Sequence, residues 1–285
     1  MHCGIRIRMI LATAAAVAVL RGAICRGQAA VKSPNGKPDV VGLYPGMPVS
    51  DAYNLLKSYF PNRGGKVDLV QEQWPGVNDG RPLPTVLHIP PSDQQGTYDD
   101  IIDVSITLPP TRQSVWAVKR VMRFEPGKAP SVNAVIAGLH QKYGQEMPYQ
   151  FQGAVKSTFR WFFDANGKRV PDSLAECNRT TYDPSLRGFR QLVYDPSPNQ
   201  YGTLLVAPPG LAGGEACKTF TYVQADITSG PGGVVEAMTV TMYDLGFALS
   251  SGAQTHAMVH GLMNAEQKAA EQKQKQIDKS AVPSF

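Results

Sequence analysis

The side chains able to do chemistry are few and scattered along this 285-residue chain. His256 and His260 stand four apart in a stretch with helical character. That spacing puts both rings on one helix face, where a pair of imidazoles can take Zn²⁺ or Cu²⁺. No Asp, Glu or Cys stands beside them as a third ligand, so packing or surface rings are expected and no metal is assigned. His88 and His140 stand alone. Asp99, Asp100 and Asp103 precede a strand-like run. They lack the alternate oxygen ligands and tight glycine turn of a calcium loop, and a solvated loop is expected there. The chain has no G-x-S-x-G elbow, no S-x-x-K set, no H-E-x-x-H, no Walker loop and no G-x-G-x-x-G after a strand. Gly230-Pro231-Gly232-Gly233, with a proline inside and a strand after it, reads as a hairpin turn rather than a phosphate cradle. No catalytic residue and no cofactor is expected.

Cys177 and Cys217 are what remains of four cysteines once Cys3 and Cys25, near the N-terminus, are set aside. An even remainder in an oxidising compartment reads as one disulfide, Cys177–Cys217. Closing a loop of about 40 residues stabilises by roughly 3–4 kcal/mol in the chain-entropy view. The compartment follows from residues 1–30, which carry Arg6, Arg8, Arg21 and Arg26, no acidic residue, and the apolar run MILATAAAVAVL. That is the layout of a cleavable secretory signal peptide, with a run too short to span a bilayer. Ile24 before Cys25 does not fit a lipidation site. No later stretch reaches membrane-spanning length, and a soluble mature protein is expected, in the periplasm or secreted. The whole chain has 28 basic and 23 acidic residues, a formal charge of +5, and a pI of about 9.0. Without residues 1–30 it keeps 24 basic residues against 23, a charge of +1. The basicity is an export feature, and no nucleic-acid partner is expected.

The elements that must position these residues follow from periodicity. Residues 31–39 (VKSPNGKPD) read as a linker. Ser50 is the expected N-cap of a short helix carrying Ala52, Leu55, Leu56 and Tyr59 on one face. Alternation then predicts strands at 66–72, 83–89, 101–108 and 114–124. In the last of these Trp116, Val118, Arg120, Met122 and Phe124 share a face opposite Lys119 and Arg123. Trp74, in a Trp-Pro-Gly loop, is the aromatic most suited to anchoring an interface, whereas Tyr98, Trp116, Trp161 and Phe163 are expected in the core.

The pattern then repeats. Gly127 and Ser131 match Gly46 and Ser50 at an offset of 81. A second helix carries Val132, Val135, Ile136, Leu139 and Tyr143, and strands are predicted at 158–163, 190–194, 202–206, 218–227 and 234–243. The predicted fold is α+β: two fused helix-plus-antiparallel-sheet units, at 40–125 and 126–244, with a C-terminal helix and tail at 245–285. Phe247, Leu249, Met258 and Leu262 are expected to pack that helix.

The phrase Gly42-Leu43-Tyr44-Pro45-Gly46-Met47-Pro48 before a helix, and the helix ending Leu139-His140-Gln141-Lys142-Tyr143-Gly144, resemble small envelope domains of the BamE (SmpA/OmlA) type. The tandem order is similar to that of the β-lactamase inhibitor protein. The resemblance covers residues 40–243 and implies a non-enzymatic module that holds a protein partner in the cell envelope on a sheet face or loops. The alternative is a secreted hydrolase with dispersed catalytic residues.

Overall fold

A computed structural model describes residues 36–59, 66–73, 81–90, 99–125, 127–145, 151–152, 155–170 and 221–280. Helix α1 (Val49–Tyr59) is followed by strands β1 (Asp68–Glu72), β2 (Leu83–Ile89), β3 (Asp99–Ile106) and β4 (Val115–Arg123). Helix α2 (Val132–Tyr143) is followed by β5 (Phe151–Gln152), β6 (Lys156–Phe163), β7 (Thr221–Ser229) and β8 (Val235–Asp244), and helix α3 (Leu245–Ser280) closes the chain. The fold is α+β with a C-terminal helix. The expected strands at 190–194 and 202–206, the segment 1–30, Cys177, Cys217, Trp74 and Tyr98 lie outside the described residues.

All eight strands belong to one sheet in the order β1-β2-β3-β4-β8-β7-β6-β5, and each neighbouring pair is antiparallel. Each helix thus precedes a four-strand meander, and the two meanders join through their last strands. Backbone contacts fix how the copies correspond. Val115 N donates to Met47 O at 2.8 Å just before α1, and Val235 N donates to Pro130 O at 2.9 Å just before α2. Helix positions therefore correspond at an offset of 83, from Val49 to Val132, which pairs Leu56 with Leu139, both buried.

The expected offset of 81 is corrected by this correspondence. Ser131 caps α2, its side chain accepting from Ala134 N at 3.2 Å. Pro48, not Ser50, takes the corresponding place, since α1 already begins at Val49. The two glycines do match in conformation, both left-handed with φ of 90° at Gly46 and 82° at Gly127, a backbone that side chains strain to adopt. The second copy simply carries two more residues between glycine and helix.

One face of the sheet is the core. Leu87, Val104, Val118, Met242, Val223 and Trp161 form one continuous cross-strand row on it. All six are buried, as are Ala52 and Leu56 of α1 and Leu139 and Tyr143 of α2 in the same cluster. Each fully buried side chain of this size is worth about 1.5–3 kcal/mol. The next row runs Ile89, Ile102, Arg120, Val240, Ala225 and Phe159, so a guanidinium interrupts an apolar line. Arg120 Nε and Nη2 donate to Asp100 Oδ1 and Oδ2 at 2.7 and 2.6 Å, and the Tyr59 ring of α1 lies 5.7 Å from its guanidinium carbon.

The three carboxylates expected in a solvated loop are therefore in strand β3. Asp100 is only 1% exposed. Asp99 lies 3.9 Å from Arg123, and Asp103 lies 2.7 Å from the ring of His88, which does not stand alone. Charge in the chain read as loop because the basic partners are not local. They arrive from the neighbouring strands.

Helix α3 leaves the end of β8. Asp244 Oδ1 accepts from Phe247 N at 2.8 Å, as an N-cap does. The residues that pack are small or hydroxylic: Ala248, Ser251, Thr255 and Val259 are buried. Thr255 Oγ1 donates to Pro109 O at 2.7 Å, and the Ser251 and Thr111 hydroxyls meet at 2.7 Å. The expectation of a bulky packing face is corrected: Phe247 and Met258 are half-buried, Leu262 is exposed, and the Leu249 side chain is outside the described residues. Small residues win because they let the helix backbone approach the loop after β3. From His260 to Asp278 every side chain is exposed. No helix among the described residues is long and apolar enough to cross a membrane.

Burial raises the Asp244 carboxyl above its ordinary 3.8, against hydrogen bonds from Phe247, Gly246 and Thr221 and the charge of Lys37. Such a group binds its proton more tightly folded than unfolded. It therefore weakens the fold above its raised pKa, and that cost fades as the pH falls through it toward 3.8. Asp244→Asn keeps a capping oxygen and removes the charge. It is expected to be at least as stable as the parent at neutral pH in urea unfolding, the difference shrinking on acidification. A loss of about 1 kcal/mol at neutral pH, the size of a lost cap, would contradict this.

Candidate binding face

The face turned away from α1 and α2 has a different chemistry. One row crosses it as His88, Asp103, Lys119, Thr241, Gln224 and Arg160, and the next as Ile101, Val121, Thr239, Asp226 and Thr158. A third runs Asp99, Arg123, Ala237, Thr228 and Lys156. Alternation dictates this division, since the residues between these on each strand are those facing the core. Toward the α3 end the same face turns aromatic: Tyr243 lies 4.8 Å from Tyr222, ring centre to ring centre, and Tyr222 lies 5.0 Å from Phe162. Those three are buried, and burial pushes the Tyr222 phenol well above its ordinary value, with Arg160 opposing and Asp226 adding to the shift.

Strand β7 carries a hydrogen-bonded relay along this face. Tyr222 Oη donates to Gln224 Oε1. Gln224 Nε2 donates to Asp226 Oδ2 at 2.8 Å. From β6, Thr158 Oγ1 donates to Asp226 Oδ1 at 2.6 Å, and Arg160 Nε donates to Gln224 Oε1 at 3.2 Å. Lys156 Nζ lies 3.6 Å from Asp226 Oδ1. The acceptors are thereby occupied from within.

Beside the relay is a hollow of about 340 Å³ lined by Lys119, Lys156, Asp226, Thr228, Ala237, Thr239 and Thr241. It draws on strands β4, β8, β7 and β6, and only the pairing of β4 with β8 brings Lys119 to Thr241. No family model matches this chain, and no curated protein or solved structure is significantly similar to it.

The candidates expected from sequence do not converge on this hollow. The rings of His256 and His260 lie 4.0 Å apart on α3. Among the described residues no group of three or more His, Cys, Asp or Glu is placed to hold a metal ion. Trp116, Trp161 and Phe163 are core residues. Of the hollow's residues the sequence places only Lys119, on the side of its strand opposite Trp116; for the others a signal exists in alternation, Gln224, Asp226 and Thr228 along β7 and Thr239 and Thr241 along β8. Alternation marks the polar side of a strand. It does not say which strands stand side by side.

Asp226→Ala leaves the buried Thr158 hydroxyl and the Gln224 amide without their acceptor. The expected loss in urea unfolding is about 1–3 kcal/mol, with Asp226→Asn recovering most of it because its amide oxygen still accepts from Thr158. Equal losses for the two variants would show that the carboxylate acts by charge, not as the hub of a hydrogen-bonded relay.

Proposed function

We propose that this chain is an exported, non-enzymatic binding module that holds a protein partner of the cell envelope on the polar face of its sheet. The observation that carries the reading is the face itself: three cross-strand rows, polar but for Ile101, Val121 and Ala237, around a shallow hollow, opposite the face that α1 and α2 pack. A rigid sheet of this kind places side chains accurately without ordering cost on binding. Asp226, the carboxylate in the hollow, is engaged by Thr158, Gln224 and Lys156, which suits recognition better than proton transfer. The arginine-bearing leader composition of residues 1–30 supports export, and the helix-then-meander order repeated twice supports the likeness to BamE-type and β-lactamase-inhibitor-type envelope domains. With 24 basic and 23 acidic residues after position 30, the module has no net field drawing it to nucleic acid.

The test is a comparative pull-down from the native envelope. Thr241→Arg fills the hollow, whereas Asn54→Arg places the same side chain on the exposed side of α1. The parent and Asn54→Arg are expected to retain one common partner that Thr241→Arg loses. Retention by Thr241→Arg together with loss by Asn54→Arg would move the interface to the helical side and overturn the proposal.

A further inference from the structure

The chemistry left over in the hollow is one-sided. Asp226 receives Thr158 and Gln224 on its two oxygens. Asp103, directly across from Lys119 on β3, is engaged with His88 at 2.7 Å. Lys119 is exposed, and among the described residues it makes no ion pair or side-chain hydrogen bond. Lys156 is 55% exposed, and at 3.6 Å its contact with Asp226 is loose. Thr228, Thr239 and Thr241 line the same space. What the hollow offers a visitor is therefore two ammonium groups and three threonine side chains, with its one carboxylate already satisfied.

We infer that the hollow bounded by Lys119 and Lys156 anchors an acidic side chain of the protein partner. This rests on reading the polar face as a protein-binding surface and names the group that surface takes. A carboxylate held between Lys119 and the threonine side chains gains charge-assisted hydrogen bonds. The surroundings decide between an acidic polypeptide and a nucleic acid. Asp99 and Asp103 lie on the same face as the hollow, so a strand with a phosphate at every step would meet carboxylates on its way across. A peptide can place a carboxylate at the hollow and neutral residues beside it. Extended chains project alternate side chains to one side, which suits a segment lying over the sheet.

The experiment titrates the labelled full chain by amide NMR with the capped hexapeptide Ser-Ser-Ser-Glu-Ser-Ser, its counterpart with Gln in place of Glu, and hexathymidylate. The Glu peptide is expected to shift the amides of Lys119, Thr239 and Thr241 saturably. Raising the salt from about 0.01 to about 1 M, which shortens the screening length from about 30 to about 3 Å, should abolish the effect. Lys119→Glu, an exposed site where the fold is expected to survive, should weaken binding by about tenfold or more, and Lys119→Ala by less. Equal shifts with the Gln peptide, unchanged binding by Lys119→Glu, or a preference for hexathymidylate would each overturn the inference. Should the pull-down retain its Thr241-dependent partner while the Glu peptide ignores the hollow, the acidic anchor fails and the protein-binding reading stands.

Discussion

A guanidinium in the middle of an apolar sheet face is the constraint around which this fold is organised. Strands β4 and β8 pair with Lys119 opposite Thr241, Arg120 opposite Val240 and Val121 opposite Thr239. The backbone correspondence of Val115 with Val235, an offset of 120, makes Arg120 and Val240 equivalent positions in the two copies. They are also cross-strand partners, so the approximate two-fold relating the copies passes between them. Two arginines there would set like charges face to face. One arginine and one valine remove the clash and break the symmetry. Arg120 is held by Asp100 on β3 and lies near both helices: beside Tyr59 of α1, with which it shares a side-chain hydrogen bond, and close enough to Tyr143 of α2 to oppose the rise that burial and Asp39 impose on its phenol.

The division of labour between the sheet's faces follows. Two helices and the residues before them cover one face, and the N-terminal approach is tied across the copies: Tyr143 Oη donates to Asp39 O at 2.7 Å and Lys142 Nζ meets Asp39 Oδ1 at 2.9 Å. On the other face the carboxylates of Asp226 and Asp103 are engaged from within, while the exposed Lys119 makes no ion pair or side-chain hydrogen bond among the described residues. A surface of this kind is rigid where it supports the site and unsatisfied where a partner can contribute, the combination recognition requires.

Much of this was legible in the chain because it is local. Period two along residues 114–124 placed Val118, Arg120 and Met122 on one side of β4 and Lys119 and Arg123 on the other, and the helix around Leu139 and Tyr143 followed from its own spacing. The rest depends on pairing between distant segments. Asp100 looks like a loop carboxylate until Arg120 arrives in register beside it. Glycine and serine identities put the repeat two residues out of step with the backbone bonds of Met47 and Pro130, which set the true correspondence. On helix α3 bulk is a poor guide to packing, because close approach to Pro109 favours Ala248, Ser251 and Thr255. The hollow was invisible for the same reason as the seam: Lys119 and Thr241 share no neighbourhood in sequence.

The most direct measurement is urea unfolding of the parent, Arg120→Met, and Asp100→Leu with Arg120→Met, followed by both far-ultraviolet and aromatic signals. The parent is expected to unfold in one transition, since both copies share one core. Arg120→Met strands a buried carboxylate and should lose about 3–5 kcal/mol, still in one transition, while the double variant regains most of that because an apolar pair of similar volume replaces a buried ion pair at little or no cost. A loss below about 1 kcal/mol for Arg120→Met, well short of what an unpaired buried charge costs, or separate transitions in the parent, would contradict a single body organised around Arg120.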